Sequence, residues 1–219
     1  MAPRSTKSSR YLSSFLPILL FAACTAQPSS SSFTNGNSMQ TGQARQDQIL
    51  HGRFLVVSHA CGDCHGGGSD PAAAGWLDGL RDTITQQFRV GPFVTRPKNL
   101  TPDNNTGTGR FTERQLFNAL RYGLRAEETP DVEISSTVPG QGNFPQHPHY
   151  LAIPMPWPSW RHMPDQDLWA IAAYLKSIKP VNHKVQDSDG PPDFWASEYT
   201  VQKIGPYPAV PYPTANEKR

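Results

Sequence analysis

Apolar positions recur at helical spacing in three stretches of this 219-residue chain. Between about 42 and 60, Ile49, Gly52, Arg53 and Val56 share one face, and Leu50, Phe54 and Val57 lie on the next. A glycine inside such a run weakens a helix by about 1 kcal/mol relative to alanine, so Gly52 predicts close packing at that point. The second stretch opens on Thr112-Glu113-Arg114-Gln115, a capping box. Leu116, Phe117 and Leu120 follow on one face, and Gly123 supplies a stop. The third covers 165–179, with Leu168, Ile171, Ala172 and Leu175 at i, i+3, i+4 and i+7. Asp165 and Asp167 suit the positive end of that helix, Lys176 and Lys179 its negative end, and Pro180 terminates it.

The intervening segments lack such a period. Residues 66–110 carry Gly66-Gly67-Gly68, several prolines and the run NNTGTG, which predict mostly loop with one short helix near 76–88. Residues 124–162 are proline-rich and irregular. Residues 181–219 are proline-rich with scattered aromatics (Trp195, Tyr199, Tyr207, Tyr212) and are expected to wrap the surface or trail free. With no strand or internal repeat in view, the pattern predicts an all-α domain of three or more helices joined by long Pro/Gly-rich loops.

Composition adds one puzzle. Hydrophobic residues make up 37% of the chain, against a globular norm of roughly 45–50%. A net charge of +2 is too small for a disordered polyelectrolyte, so something other than aliphatic side chains is expected to help fill the core. The near-neutral balance argues against nucleic acid as a partner.

The N-terminus reads as an address. Arg4, Lys7 and Arg10 precede a 13-residue apolar run, 11–23, too short to cross a bilayer as a helix, which takes about 20 residues. Phe21-Ala22-Ala23-Cys24 resembles a bacterial lipobox, in which the cysteine becomes the first mature residue and carries lipid. Cleavage after Ala26 with an incidental Cys24 is the plainer alternative. Removing residues 1–23 takes away three basic and no acidic side chains, leaving 17 basic against 18 acidic, so no basic-patch argument survives. Residues 24–41 are Ser- and Asn-rich and read as a flexible tether. The domain expected to fold is then 42–181, followed by the extension 182–219.

Besides Cys24 the chain has two cysteines, in Cys61-Gly62-Asp63-Cys64-His65. This is the c-type haem attachment pattern: two thiols three residues apart add to the two vinyl groups of one porphyrin, and the histidine reaches the iron. A zinc site needs four ligands, and adjacent Cys64 and His65 serve one ion poorly. A thioredoxin-like redox pair wants a βαβ context, and a structural disulfide of an exported protein is the third rival. For the second iron ligand the chain offers several side chains. Met155 lies in Pro154-Met155-Pro156-Trp157, where each proline biases its predecessor toward extended backbone and stiffens the strap. Met163 suits a packing role before the helix at 165, Met39 lies in the tether, and His147 and His149 sit in a proline-rich loop. Met155 is the preferred ligand.

At this point the chain resembles the bacterial class I c-type cytochromes, and more narrowly the single-haem modules in cytochrome subunits of membrane-bound alcohol and sugar dehydrogenases. The resemblance covers roughly 45–181 and rests on four pieces in order: CGDCH at 61–65, NLTPDNNTGTGRFTERQLFNALRYG at 99–123, PMPWPSWRHMPDQDL at 154–168 and AIAAYLKSIKPV at 170–181. It implies the class I cytochrome c fold around one covalently attached haem c held by Cys61 and Cys64. It places His65 and Met155 on the iron, and it crosses the terminal helices with Gly52 and Val56 against Ile171, Tyr174 and Leu175. It also suggests Asn99 near a propionate. The ring is expected to be buried among Phe54, Leu100, Phe117, Leu120 and Trp157. Residues 125–150 and the tail after Val181 exceed a typical module, and the dehydrogenase subunits often carry three haem modules where this chain carries one.

The implied function is an exported carrier of single electrons, not an enzyme. It would stand on the periplasmic side of a bacterial membrane, held by a lipid anchor at Cys24. Its redox partners would be a dehydrogenase, an oxidase or a quinol-linked complex. The rival is a haem peroxidase or gas-binding sensor, with an open iron position beneath a pocket built by 125–150, His147 and His149.

Overall fold

The computed structural model describes residues 33–81, 87–190 and 192–205. Residues 1–23, expected to be an export signal, and Cys24 lie outside the described residues. Helix α1 spans Phe33–Ser58. It begins within the stretch expected to be tether, because extending a formed helix adds one backbone hydrogen bond for each residue fixed. Gly52, Leu55 and Val56 are buried, whereas residues 41–47 are exposed. A turn at Ala60, φ 55°, leads into the one-turn helix α2, Cys61–His65.

The short helix expected near 76–88 is absent over 76–81, which forms turns and bends. Leu77 (φ 57°) and Gly79 (φ 95°) stand in left-handed backbone that an α-helix excludes. Beyond the gap come two unforeseen strands, β1 (Phe88–Val90) and β2 (Phe93–Thr95), antiparallel with Val90 opposite Phe93 across a turn at Gly91. Three residues a side is too short for alternation to stand out in a sequence.

Helix α3, Glu113–Tyr122, forms as the pattern requires. Thr112 Oγ1 accepts from the Gln115 N–H, the Gln115 side chain accepts from the Thr112 N–H, and the helix closes at Gly123, φ 68°. Leu116, Phe117 and Leu120 enter the core. Its other face carries Gln115, Asn118 and Tyr122, which hold the long loop that follows. Gln115 Nε2 donates to the Ala126 and Thr129 carbonyls, Asn118 Nδ2 to Val132 and Tyr122 Oη to Ile134. The ends of that loop meet, with Leu124 bridged to Tyr150 and the Leu151 N–H on the Gly123 carbonyl. Leu124, Ile134 and Phe144 give it a small core of its own.

The one-turn helix α4, Trp157–Trp160, leads to α5, Asp165–Ser177, which crosses α1. Leu168, Ala170, Ile171, Ala172, Tyr174 and Leu175 of α5 join Leu55 and Val56 of α1 and the buried face of α3 in one core. Lys176 does more than oppose the helix dipole: its Nζ donates to the carbonyls of Thr108, Gly109 and Phe111, tying α5 to the loop before α3. Residues 181–190 run beside 94–101, with the Asp189 N–H on the Val94 carbonyl and Ser188 Oγ accepting from the Arg96 N–H. A 3-10 segment, Pro192–Tyr199, and helix α6, Val201–Ile204, complete the described chain, so this part of the tail wraps rather than trails.

Candidate haem-attachment site

The cysteine motif sits at the corner where α1 ends. Gly62 between the two cysteines is buried, and a Cβ there would overlap the Trp76 ring and the Gly68 carbonyl. Trp76 is fixed in turn by its indole N–H, which donates to Tyr174 Oη of α5 at 2.9 Å. The 66–79 loop folds back on the motif, with the Leu77 N–H on the Gly66 carbonyl and the Gly79 N–H on the His65 carbonyl. The motif therefore rests on the terminal-helix crossing itself.

His65 is oriented by one bond. Its Nδ1 lies 2.7 Å from the Lys98 carbonyl, an acceptor only, so Nδ1 carries the proton and Nε2 keeps a free lone pair. Burial lowers the imidazole pKa below its ordinary 6.5, a shift the Lys98 bond partly opposes. A neutral imidazole with its outward nitrogen unprotonated is the form a metal requires.

Cys61 and Cys64 are both free and partly exposed. Burial pushes the Cys61 thiol up to about 12, and desolvation and then Asp63 raise Cys64 as well. This is the reverse of the lowered pKa that marks a redox-active pair. Among the described residues no three His, Cys, Asp or Glu side chains cluster as a metal site.

Met155 is half-buried and packs against the same core as Cys61, Leu100 and Met163. Its strap is braced from within: the Met155 N–H bonds the Ala152 carbonyl and the Trp157 N–H bonds the Met155 carbonyl, each at 2.9 Å. Met163 precedes α5, and its carbonyl accepts from Arg121. His147 is exposed, and His149 is paired with Glu128 on the long loop.

Two ring-lining expectations change. Phe54 is 64% exposed on the outer face of α1, beside His51, because Gly52 and Val56 turn the opposite face of that helix toward α5. Asn99 is 2% exposed and already engaged. Its Nδ2 donates to Thr106 Oγ1 and the Val181 carbonyl, and its Oδ1 accepts from the Thr101 N–H and hydroxyl. Asn99 thus locks the loop to the chain after α5 and leaves no hydrogen for a propionate. Phe117, Leu120 and Trp157 are buried and Leu100 is half-buried. The Trp157 Nε1–H, fully buried two residues from Met155, meets no acceptor in hydrogen-bonding geometry among the described residues.

The donor set thus fits a covalent haem: two free thiols, an oriented imidazole and a half-buried thioether on a stiff strap. The Cytochrome c family model matches residues 49–179. The chain belongs to the cytochrome c family. Its cofactor is haem c, one per chain and covalently bound. The cytochrome is 31% identical over 140 residues to the gluconate 2-dehydrogenase cytochrome c subunit of Pantoea cypripedii, covering 62% of this chain and 27% of that one. It is 25% identical over 147 residues to the fructose dehydrogenase cytochrome subunit of Gluconobacter japonicus, covering 64% and 23%. It is 26% identical over 143 residues to the cytochrome c subunit of the alcohol dehydrogenase (quinone) of Gluconacetobacter polyoxogenes, covering 65% and 24%. The chain spans about a quarter of the length of these relatives. Sequence reasoning missed the Lys98 carbonyl, since a backbone acceptor leaves no mark in residue identity. It also gave no role to Trp195 and Tyr199, whose only signal was aromatic content in a proline-rich tail.

Proposed function

We propose that this cytochrome is an exported carrier of single electrons, with the haem joined to Cys61 and Cys64 and its iron held by His65 and Met155. Bound haem supplies one-electron exchange between ferric and ferrous iron. The polypeptide orients its ligands: the Lys98 carbonyl fixes the His65 tautomer, and the Pro154–Pro156 strap restrains Met155. His65 and Met155 would hold the iron, and thioether ligation would raise the reduction potential relative to two imidazoles. Held by His65 and Met155, the group would exchange electrons without an acid, base or nucleophile from the chain. The observation that carries this reading is the His65–Lys98 bond, which leaves Nε2 as the one ring nitrogen able to coordinate. The open-site rival draws no support from His149, already paired with Glu128, or from exposed His147.

Export rests on the basic and apolar halves of residues 1–23, and anchoring on acylation of Cys24; acyl chains contribute roughly 0.8 kcal/mol per buried methylene. No helix among the described residues is long and apolar enough to cross a membrane. The relatives are named as cytochrome subunits of fructose, gluconate and alcohol dehydrogenases, which favours a dehydrogenase as the electron donor. The test is the ferric spectrum of the purified holoprotein. Methionine ligation gives a weak near-infrared band that Met155→Ala removes and Met163→Ala retains. An unchanged six-coordinate spectrum in Met155→Ala would refute the ligand assignment.

A further inference from the structure

The strap that carries Met155 is gripped on its outer side by the tail. Trp195 is 1% exposed, and its indole N–H donates to the Tyr150 carbonyl at 2.9 Å. Tyr199 Oη donates to the Leu151 carbonyl at 3.0 Å. The Tyr199 ring lies 5.1 Å from that of Tyr150 and 4.9 Å from that of Trp157, while Tyr150 and Trp157 stack 5.9 Å apart with their planes nearly parallel. One turn further on, the Arg161 guanidinium of the segment after α4 bonds the Ile204 carbonyl of α6. The tail thus bonds the strap just before Met155 at Tyr150 and Leu151, covers Trp157 just after it and reaches Arg161 beyond α4. Of the two carbonyls that lead into the strap, that of Leu151 accepts from Tyr199 and that of Tyr150 accepts from Trp195 and, at 3.2 Å, from Arg125 Nε, while the Tyr199 ring packs on both Tyr150 and Trp157.

We propose that residues 192–205 are a clamp that holds the Met155 strap closed, with Trp195 and Tyr199 as positioning residues for the iron ligand. The inference rests on the Met155 reading and adds a part for the extension, whose residues stand outside the core shared by α1, α3 and α5. A strap bonded only at its ends opens locally at a free energy set by its weakest contacts. Each hydrogen bond the tail adds raises that opening free energy, so the tail sets how often Met155 leaves its place.

The experiment compares the wild-type holoprotein with Tyr199→Phe, Trp195→Ala and a chain ending at Gly190. It reads three quantities: the rate at which cyanide displaces methionine from the ferric form, the reduction potential, and amide hydrogen exchange at Leu151, Met155 and Trp157. Tyr199→Phe loses one hydrogen bond and is expected to speed displacement about 5-fold. Trp195→Ala and the truncated chain should exceed about 10-fold, because a buried indole and its bond both go. The three amides should exchange faster in step, and the potential should fall. Asp103→Ala, which removes the bonds to Thr106 within the 103–106 turn, should lower the melting temperature without changing the displacement rate. Displacement rates and strap exchange equal to wild type in Tyr199→Phe and Trp195→Ala, with the near-infrared band present in wild type and lost in Met155→Ala, would overturn the clamp alone. A wild type without that band would overturn the ligand reading and the clamp with it.

Discussion

Gly52 of α1 lies against Ala170 of α5 so closely that a Cβ at position 52 would overlap the Ala170 carbonyl and come 2.8 Å from Tyr174 Cβ. The crossing is therefore backbone against backbone, and the aromatic that flanks it, Tyr174, in turn receives the Trp76 indole N–H beneath the cysteine motif. Gly52→Ala is expected to push the helices apart. Overpacking of this kind costs about 1–3 kcal/mol or more, and outweighs the gain of about 1 kcal/mol in helix propensity. Denaturant unfolding of the holoprotein checks it; a stabilised variant would refute the close contact.

Asn99 is the second joint. It bonds Thr101, Thr106 and Val181 from a fully packed position, tying the loop after His65 to the segment after α5. Asn99→Ala leaves several buried partners without a mate, at about 1–3 kcal/mol each where water cannot reach them. We expect a loss of about 3 kcal/mol in denaturant unfolding, together with faster amide exchange at Thr101 and Val181.

The crossing was legible from the sequence and Asn99 was not, for a physical reason. A glycine in an otherwise periodic helix announces a close approach whatever the partner, and the capping box at Thr112 specifies its own bonds within four residues. The Asn99 bond to the Val181 carbonyl spans 82 residues, and an amide serves a propionate or a neighbouring carbonyl equally well by type. The hairpin Phe88–Thr95 was hidden by its length, and the strap's support by the tail was hidden because Trp195 and Tyr199 act on backbone carbonyls. The cysteine motif was plain because its chemistry is fixed by spacing alone.

Asp103 gives a pH signature. Its carboxylate accepts from the Thr106 hydroxyl and from the Thr106 and Asn105 N–H groups, which hold its pKa below the ordinary 3.8, the hydroxyl contributing most. A depressed carboxylate stabilises the fold fully above its unfolded value, and that contribution is lost as pH falls through the folded one. Asp103→Ala should therefore be less stable than wild type at neutral pH, and the gap should close in acid below the ordinary carboxylate value. A gap independent of pH would contradict the assignment.

Attachment has its own test. Haem staining of a denaturing gel should be positive for wild type and Met155→Ala. Cys61→Ala and Cys64→Ala should each impair it, and the double variant should abolish it. Staining retained in the double variant would show that the group is held elsewhere.

The most direct measurement is an optical redox titration of the holoprotein, repeated on Met155→Ala. The account predicts a single reversible one-electron transition in wild type, no carbon monoxide binding by the reduced form on mixing, and a transition displaced to lower potential with rapid carbon monoxide binding once Met155 is removed. A wild type that binds carbon monoxide at once, or a Met155→Ala protein titrating at the wild-type potential, would contradict it.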